Sequence, residues 1–325
     1  MAEIEAPGDA VVRVTTTAIC GSDLLPYRGR TQRAPGSTIG HEFVGIVEDV
    51  GPEVTALAPG ARVVSPFSIW CGGCFYCKQG LLSACEQGAV FGVRIPGGQA
   101  EYVRVPNAGA VLEPLPEGLS DESAVFLSHP LTGIYAALQM AEIKAGESVA
   151  VLGCGPTGLC AQLLARTMGA ARVFAVDHHA DRLAAAERLG CIPLDFDSDD
   201  VGARIRAATG GRGADLVIEA VGTAAAVASG AGLARPWGTL LSITLGVEPE
   251  ATFPIGRLTG RRVRLLPAYA PAVKNYMAPV MKMLTRGLLD PSPIVSHVLP
   301  LADAARGYEL MAKRAEGALK VLLRP

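Results

Sequence analysis

"SVAVLGCGPTG", residues 148–158, is the stretch that decides the fold of this chain. Its apolar first half is typical of a buried strand, and Gly153, Gly155 and Gly158 then form a G-x-G-x-x-G before a helical pattern. The first glycine permits a tight turn, the second lets the backbone approach a pyrophosphate, and the third lets the helix pack close to the strand. The start of that helix would present free N–H groups to the phosphates. The stretch therefore predicts a dinucleotide-binding turn.

An acid follows this turn at the distance that a dinucleotide site requires. Asp177 ends the next apolar run, nineteen residues after Gly158, where a carboxylate would bind a ribose 2′-OH and repel a 2′-phosphate. This favours NAD over NADP, although His178 and His179 would weaken the preference if protonated. The alternative is a glycine-rich structural turn with a helix-capping aspartate. The candidate cofactor-binding residues here are Gly153, Gly155, Pro156, Thr157, Gly158, Asp177 and Val221.

The sequence on the two sides of the turn has two different secondary-structure patterns. Apolar strand-like runs alternate with helical patterns from Ser148 to about residue 244, which predicts a doubly wound parallel sheet of the Rossmann type. Residues 9–114 instead contain short Val-rich runs separated by Gly and Pro, which are typical of a β-rich domain. Near residue 120 the texture becomes helical, with Ser120 as a candidate N-cap. We predict an α/β protein with a catalytic domain at 1–120 and 293–325, and a coenzyme domain at 121–292.

Composition excludes several classes of function. The chain has 325 residues, half of them hydrophobic and 18% charged, with a net charge of −2, so it is neither disordered nor suited to nucleic acid or an acidic membrane surface. No apolar run approaches the length of a membrane span. The N-terminus has acids and a proline where a signal peptide has basic and then apolar residues. These features predict a cytoplasmic protein, in which clustered cysteines more often hold metal than form disulfides.

Four of the eight cysteines lie in "CGGCFYCKQGLLSAC", residues 71–85. Two-residue gaps allow successive thiolates to face one ion, and four thiolates leave no open position, so the spacing predicts a structural zinc. An iron–sulfur cluster is the competing metal, but the fourth cysteine of ferredoxins lies closer and precedes a proline. Cysteines without metal are the other alternative. The candidate ligands are Cys71, Cys74, Cys77 and Cys85.

Catalysis must then use other residues, and "ICGSD" and "GHEFVG" supply Cys20, His41 and Glu42 at turns that bound strands. These two motifs are followed by the four-cysteine segment at residues 71–85, here called the lobe, then by the glycine-rich turn and the "GALKVLLRP" ending. With these features in this order, the sequence resembles the zinc-containing medium-chain alcohol dehydrogenases. The resemblance covers nearly the whole chain. It implies a GroES-like β-rich catalytic domain and a Rossmann coenzyme domain.

The resemblance also implies a mechanism and roles for single residues. Cys20 and His41 would be the first two ligands of a catalytic zinc, Asp23 would orient the His41 ring, and Glu42 would lie behind the metal as an alternate ligand. Ser22 would take the proton of a zinc-bound alcohol while a hydride passes to NAD, and the reverse reaction would reduce an aldehyde or ketone. Arg182 would lie near the adenosine ribose. The partners implied are a small alcohol or polyol and further copies of the chain, in a homodimer or homotetramer.

Three departures from the family pattern limit this transfer. The third zinc ligand is normally Cys, Glu or Asp; alignment here selects either Ser128 or His129, and we favour His129 because an imidazole completes the site. If His129 only lines the pocket, Glu42 or water fills that position. Leu25 stands where many relatives have a relay histidine, so the proton must leave by another route. Relatives also begin with a further strand pair that this sequence lacks, so either the given start is wrong or one edge of the catalytic sheet is open.

Two other functions remain open at this point. A zinc-poor quinone or enone reductase of the same superfamily would lack the combination of Cys20 and His41. A catalytically silent NAD-binding sensor or partner-binding protein would hold only the lobe zinc. Zinc content separates the enzyme from the silent protein.

Overall fold

The computed structural model describes residues 2–244, 255–268 and 273–325. The chain forms two compact units, one of Met1–Thr132 with Pro271–Pro325 and the other of Gly133–Ala270. Within the described residues, no helix combines the length and the apolar character that crossing a membrane requires. The strands in chain order are β1 (Ala10–Ala18), β2 (Phe43–Val50), β3 (Arg62–Ser65), β4 (Ser68–Ile69), β5 (Ala89–Val90), β6 (Tyr102–Val105), β7 (Glu113–Pro114), β8 (Ser148–Leu152), β9 (Arg172–Asp177), β10 (Ile192–Asp195), β11 (Ala214–Glu219), β12 (Ala234–Ser242), β13 (Arg264–Pro267), β14 (Val295–Pro300) and β15 (Lys320–Arg324).

The helices are short in the first unit and longer in the second. Single 3₁₀ turns cover Gly21–Asp23, Leu82–Ala84, Val125–Leu127, Ser292–Ile294 and Leu301–Asp303. The α-helices in chain order are α1 (Leu24–Tyr27), α2 (Phe75–Lys78), α3 (Ala108–Val111), α4 (Asp121–Ala124), α5 (Pro130–Met140), α6 (Pro156–Thr167), α7 (Ala180–Arg188), α8 (Val201–Ala208), α9 (Ala224–Leu233), α10 (Ile255–Arg261), α11 (Lys274–Thr285) and α12 (Ala304–Lys313).

The first unit is a mostly antiparallel sheet in the order β14-β15-β1-β2-β3-β7, with β6 also paired to β1. Its core contains Val12, Phe43, Phe91 and Val103, all at most 1% exposed. The β1–β2 register pairs Thr17 with Phe43, and the β1–β15 register pairs Ala18 with Leu322. The residues that follow β1 therefore meet those that precede β2 and those that begin β15.

The second unit is a parallel sheet in the order β10-β9-β8-β11-β12-β13. Every residue of β8 is buried, as expected for a strand that helices cover on both faces. The carboxyl ends of parallel strands share one edge of the sheet, and the chain order reverses beside β8, which is where such sheets bind nucleotides. The predicted combination of a GroES-like β-rich domain and a Rossmann domain is confirmed.

The boundaries between the units differ from those predicted at 120 and 292. Residues 121–132 and 273–292 belong to the first unit because their polar side chains are tied to it. Arg62 pairs with Asp121, and the Ser128 hydroxyl bonds to the backbone of Phe43. The Lys274 ammonium lies 2.6 Å from the Glu113 carboxylate. At each of the two places where the chain passes between the units, these contacts add about one helical segment to the β-rich unit.

Candidate functional site

Sheet register places the end of β1 beside the start of β2 at the first candidate site. The Ala18 amide donates to the Glu42 carbonyl over 3.0 Å, so Cys20, two residues after β1, lies beside His41 and Glu42, just before β2. Cys20 then precedes the single 3₁₀ turn Gly21–Asp23, whose tight geometry folds the chain back toward the strand. This arrangement places a thiol, an imidazole and a carboxylate at one end of the sheet.

A break in the helical segment after Ser120 supplies the fourth side chain. Ser120 caps α4 as predicted, by accepting from the Ser123 amide, but the helix does not run on continuously, because Pro130 disfavours helical backbone before it and starts α5 instead. His129 stands at this break and joins the other three residues. Ser128, one residue earlier, bonds elsewhere: its buried hydroxyl accepts from the Phe43 amide and donates to the Phe43 carbonyl, both over 3.2 Å.

The cluster of Cys20, His41, Glu42 and His129, here called the first cluster, is compact. One ligand atom from each residue lies within 4.8 Å of the others, and the His41 and His129 rings are 5.4 Å apart. Among the described residues, two buried polar atoms in it, His129 Nδ1 and Glu42 Oε1, lie 3.5 Å from each other and have no well-aligned hydrogen-bond partner. Buried polar atoms are rarely left without one. A thiolate, two imidazoles and a carboxylate are the donors that zinc accepts, so the residues present fit a metal ion.

Without an ion, the electrostatics of the first cluster favour a Cys20 thiolate beside protonated imidazoles, and a bound metal ion would displace the imidazole protons. Burial and the Glu42 carboxylate act to raise the pKa of Cys20, but His41 and His129 outweigh them and lower it to about 6. Burial would lower the pKa of His41, yet the Cys20 thiolate and Asp23 hold it well above its ordinary value. The pKa of His129 is also raised, against the effect of burial, by Cys20 and Glu42. A buried thiolate is thus stabilised by positive charge, which a cation would provide more strongly.

Asp23 lies behind His41 as predicted, and Ser22 lies in the same turn. Asp23 Oδ2 accepts from the Cys20 amide over 2.9 Å, and Asp23 Oδ1 is 3.4 Å from His41 Nδ1. A carboxylate at Nδ1 favours a proton there and leaves Nε2 as the ligand atom. Ser22 is partly exposed.

Sequence reasoning missed Lys320, the first residue of β15. Its ammonium forms a short ion pair with Glu42 Oε2, and both side chains are at most 3% exposed. Burial acts to raise the pKa of Glu42, but Lys320, His129 and His41 lower it well below its ordinary value. The only signal in the sequence was a lysine inside an otherwise apolar closing strand.

The four lobe cysteines converge as their spacing predicted. The sulfur of Cys85 lies 3.5 Å from that of Cys71 and 3.9 Å from that of Cys74, and Cys71 and Cys77 are 4.0 Å apart. A zinc ion bound at about 2.3 Å to four tetrahedral sulfurs would space them about 3.8 Å apart. Backbone N–H groups of Cys77 and Glu86 lower the pKa of Cys74 to about 6, whereas burial raises that of Cys77 to about 12. The four residues fit one metal ion.

The glycine-rich turn has the geometry that its sequence predicted. Helix α6 begins at Pro156 with Gly155 as its N-cap, and Gly153 has a φ of +93°. A Cβ on Gly158 would lie 1.8 Å from the Gly153 carbonyl oxygen, so this glycine is required by packing. A Cβ on Gly155 would meet only Arg182, at 3.8 Å. Among the described residues, the space next to Gly155 is therefore open, as the close approach of a phosphate requires.

Asp177 lies beside this turn with much of its hydrogen-bonding capacity already used. Its carboxylate accepts from the Cys154 amide over 2.7 Å, from the His178 and His179 amides and from His179 Nδ1. Burial acts to raise its pKa, but these donors lower it. Arg182 Nη1 lies 4.0 Å from the same carboxylate. The structure therefore brings the predicted acid and base together next to the glycines.

The end of β11 lies beside the same turn and contains a second feature that the sequence did not reveal. The Glu219 carboxylate is fully buried and accepts from the amides of Val221 and Gly222 and from the hydroxyls of Ser242 and Thr244. It thereby fixes the backbone at Val221, whose side chain would contact a Cβ on Gly153. Glu219 thus determines the position of one predicted cofactor residue.

Two protein families match the chain. Residues 6–117 match the alcohol dehydrogenase GroES-like domain and residues 156–286 match the zinc-binding dehydrogenase domain. The zinc-type alcohol dehydrogenase-like protein AdhB of Bacillus subtilis (strain 168) is 37% identical, over 99% of this chain and 95% of its own. The structure of alcohol dehydrogenase TADH from Thermus sp. ATN1 superposes with a TM-score of 0.95 at 40% identity, over 100% of this chain and 94% of its own. A protein from Sinorhizobium meliloti 1021 whose structure holds NADP has a TM-score of 0.88 at 30% identity, over 99% and 94% of the two chains.

The fold and these matches define an oxidoreductase of the alcohol dehydrogenase type, built from a GroES-like and a nucleotide-binding domain. The chain belongs to the zinc-containing medium-chain dehydrogenase family. Zinc and a nicotinamide cofactor are the general requirements of that family.

Proposed function

We propose that this protein transfers a hydride between a primary or secondary alcohol or polyol, or the corresponding aldehyde or ketone, and NAD. The observation that carries the proposal is the first cluster: a thiolate and two imidazoles whose ligand atoms lie within 4.8 Å of one another, with two buried polar atoms that form no well-aligned hydrogen bond among the described residues. Cys20, His41 and His129 would hold a zinc ion, and Glu42 would be the alternate ligand. When bound, zinc supplies Lewis acidity that favours loss of the alcohol proton.

The remaining residues of the first unit orient the site and accept the proton. Asp23, whose Oδ1 lies 3.4 Å from His41 Nδ1, would orient the His41 ring and favour a proton at Nδ1, and Lys320 would balance the buried Glu42 charge. Ser22, with its hydroxyl in the turn that follows Cys20, would take the proton of the substrate alcohol. Leu25 cannot pass that proton on, so we expect it to leave through water or a ribose hydroxyl. The four lobe cysteines would hold a second, structural zinc.

NAD is the proposed cofactor because Asp177 places a carboxylate next to Gly155 and Arg182. A 2′-phosphate would meet this charge, whereas a ribose 2′-OH can donate to it. The glycines, Pro156, Thr157 and Val221 would bind the rest of the dinucleotide. We also propose a homodimer or homotetramer, and a cytoplasmic location, since a four-thiolate site needs reduced cysteines.

The test is a screen of alcohols, polyols and aldehydes in which NADH absorbance is followed, with zinc per chain measured on the same samples. The wild-type protein should turn over with NAD and hold two zinc ions, one in each proposed site. His41→Ala should abolish turnover and remove one zinc, whereas the control His297→Ala, on β14, should change neither. Turnover that survives His41→Ala would remove the mechanism. A wild-type protein with only the lobe zinc would favour the silent NAD-binding alternative.

A further inference from the structure

A glutamine and a tyrosine lie behind Asp23, on the side away from His41. Gln99 Nε2 lies 3.4 Å from Asp23 Oδ2 and 3.4 Å from the Ala18 carbonyl. The hydroxyl of Tyr308, on α12, donates to Gln99 Oε1 over 2.8 Å. Asp23 and Tyr308 are at most 8% exposed and Gln99 is partly buried, so these hydrogen bonds are partly shielded from water, which strengthens them.

Glycines allow Gln99 to approach the site. Gly97, Gly98 and Gln99 donate their amides to the carbonyls of Thr38, Gly40 and Ile39, so the segment lies along the chain that leads to His41. A Cβ on Gly40 would lie 2.4 Å from Gln99 Cγ. The Gln99 side chain therefore occupies the space that a side chain at position 40 would fill, and its amide can reach Asp23.

The neighbours of Gln99 fix which way its amide faces. Asp23 Oδ2 and the Ala18 carbonyl are both acceptors, so Nε2 must face them and Oε1 must face Tyr308. Tyr308 must then donate its proton, and it can do so at all ordinary pH values because burial and the Asp23 charge raise its pKa. Each donor thus points along one chain from Tyr308 through Gln99 to Asp23, and His41 Nδ1 reaches Asp23 from the other side.

We infer that Gln99 and Tyr308 are positioning residues for the catalytic metal: they hold Asp23 in the orientation that keeps the His41 proton on Nδ1 and Nε2 free to bind zinc. This inference rests on the proposed function, because it assumes that the first cluster holds zinc. Tyr308 acts only through Gln99. The effect of removing its hydroxyl must therefore disappear once the Gln99 amide is gone.

The test measures zinc affinity at the first cluster by competition with a chelator, in Tyr308→Phe, Gln99→Leu and the double variant. Each single variant should weaken zinc binding there by about tenfold, as loss of a partner behind a metal-bound histidine does. The double variant should match Gln99→Leu. Tyr27→Phe is the control, because it removes a hydroxyl from a neighbouring ring whose centroid lies 5.4 Å from that of Tyr308, and it should bind zinc as the wild type does.

Replacing zinc with cobalt gives a second measurement, the visible absorption of the metal site. A purely structural role of Tyr308 would not change this absorption. The visible bands of cobalt at the first cluster should shift in Tyr308→Phe and stay unchanged in Tyr27→Phe. The inference would be overturned if Tyr308→Phe left both the zinc affinity and the cobalt bands unchanged. It would also be overturned if Tyr308→Phe weakened zinc binding equally in the presence of Gln99 and in the Gln99→Leu background. Retention of the lobe zinc shows that a variant is folded. If Gln99→Leu loses the lobe zinc, the inference is judged on Tyr308→Phe alone, because that variant lacks only one oxygen atom. A wild-type protein without zinc at the first cluster would refute the proposed function instead.

Discussion

Ser128 and His129 are adjacent in sequence, but their side chains take part in different interactions. The Ser128 hydroxyl bridges the amide and carbonyl of Phe43, while the His129 ring lies 5.0 Å from that of Phe67 and joins the first cluster. Alignment by spacing left both as candidates for the third ligand. The structure brings only His129 to Cys20 and His41.

The pair provides a matched test of metal binding. His129→Ala should lose the zinc of the first cluster and keep that of the lobe. Ser128→Ala should keep both and lower the free energy of unfolding by about 1–3 kcal/mol, because it leaves buried backbone groups of Phe43 without a partner. Zinc analysis and urea unfolding measure the two effects. Equal zinc loss in both variants would contradict the assignment.

Glu42 and Lys320 form a buried pair whose members depend on each other. Lys320→Met should lower the free energy of unfolding by about 3–5 kcal/mol, because it removes the main counter-charge of a buried carboxylate. The double variant Glu42→Gln with Lys320→Met should recover much of this loss. Urea unfolding with a chelator present throughout measures the pair without any contribution from zinc release.

The same pair predicts a pH dependence. The pKa of Glu42 is lower in the folded protein than in the unfolded chain, so its stabilising contribution is present above about pH 4 and is lost as the pH falls further. The difference in unfolding free energy between wild type and Lys320→Met should therefore narrow below that pH. A constant difference at all pH values would show that Lys320 acts by packing alone.

At the scale of elements, the turn between β8 and α6 contains two glycines that are needed for different reasons. Gly158 is needed for the fold, because any Cβ would overlap the Gly153 carbonyl. Gly155 is not, because a Cβ there has room and its φ of −70° suits any residue. We propose that the missing side chain at Gly155 leaves room for a ligand.

These two glycines predict opposite phenotypes. Gly155→Ala should unfold at nearly the wild-type urea concentration but bind NADH more weakly, because the methyl group would face the pyrophosphate. Gly158→Ala should lower the free energy of unfolding by about 1–3 kcal/mol, as overpacking does. Fluorescence titration with NADH and urea unfolding distinguish them. Wild-type NADH affinity in Gly155→Ala would exclude this turn as the phosphate site.

At the scale of the molecule, each unit carries its own ligand chemistry. The two proposed zinc sites lie in the unit of Met1–Thr132 with Pro271–Pro325, and the glycine-rich turn lies in Gly133–Ala270. A ligand stabilises the state to which it binds. Metal and dinucleotide should therefore protect different parts of the chain.

Amide hydrogen exchange can measure this separation. NADH should slow exchange near residues 153–158 and 177–182, and zinc chelation should speed exchange across residues 71–90. Cys85→Ser should reproduce the effect of chelation on the lobe, whereas Cys191→Ser, a buried cysteine of the other unit, should not. Unchanged lobe exchange after chelation would show that the four cysteines do not hold a structural metal.

The sequence by itself determined the features that depend on local spacing. The alternating pattern and the glycines of residues 148–158 predicted the parallel sheet and its turn, and the gaps between Cys71 and Cys85 predicted a converging lobe. In each case the residues involved are close in sequence, so the local backbone largely sets their geometry.

Only the tertiary structure decided which distant side chains meet. Lys320 reaches Glu42 across 278 residues of chain, and Tyr308 reaches Gln99 across 209. His129 joins the first cluster because a helix breaks before Pro130, and the domain boundaries moved because buried polar contacts hold residues 121–132 to the first sheet. Strand register and packing fix such pairs, and no local pattern records them.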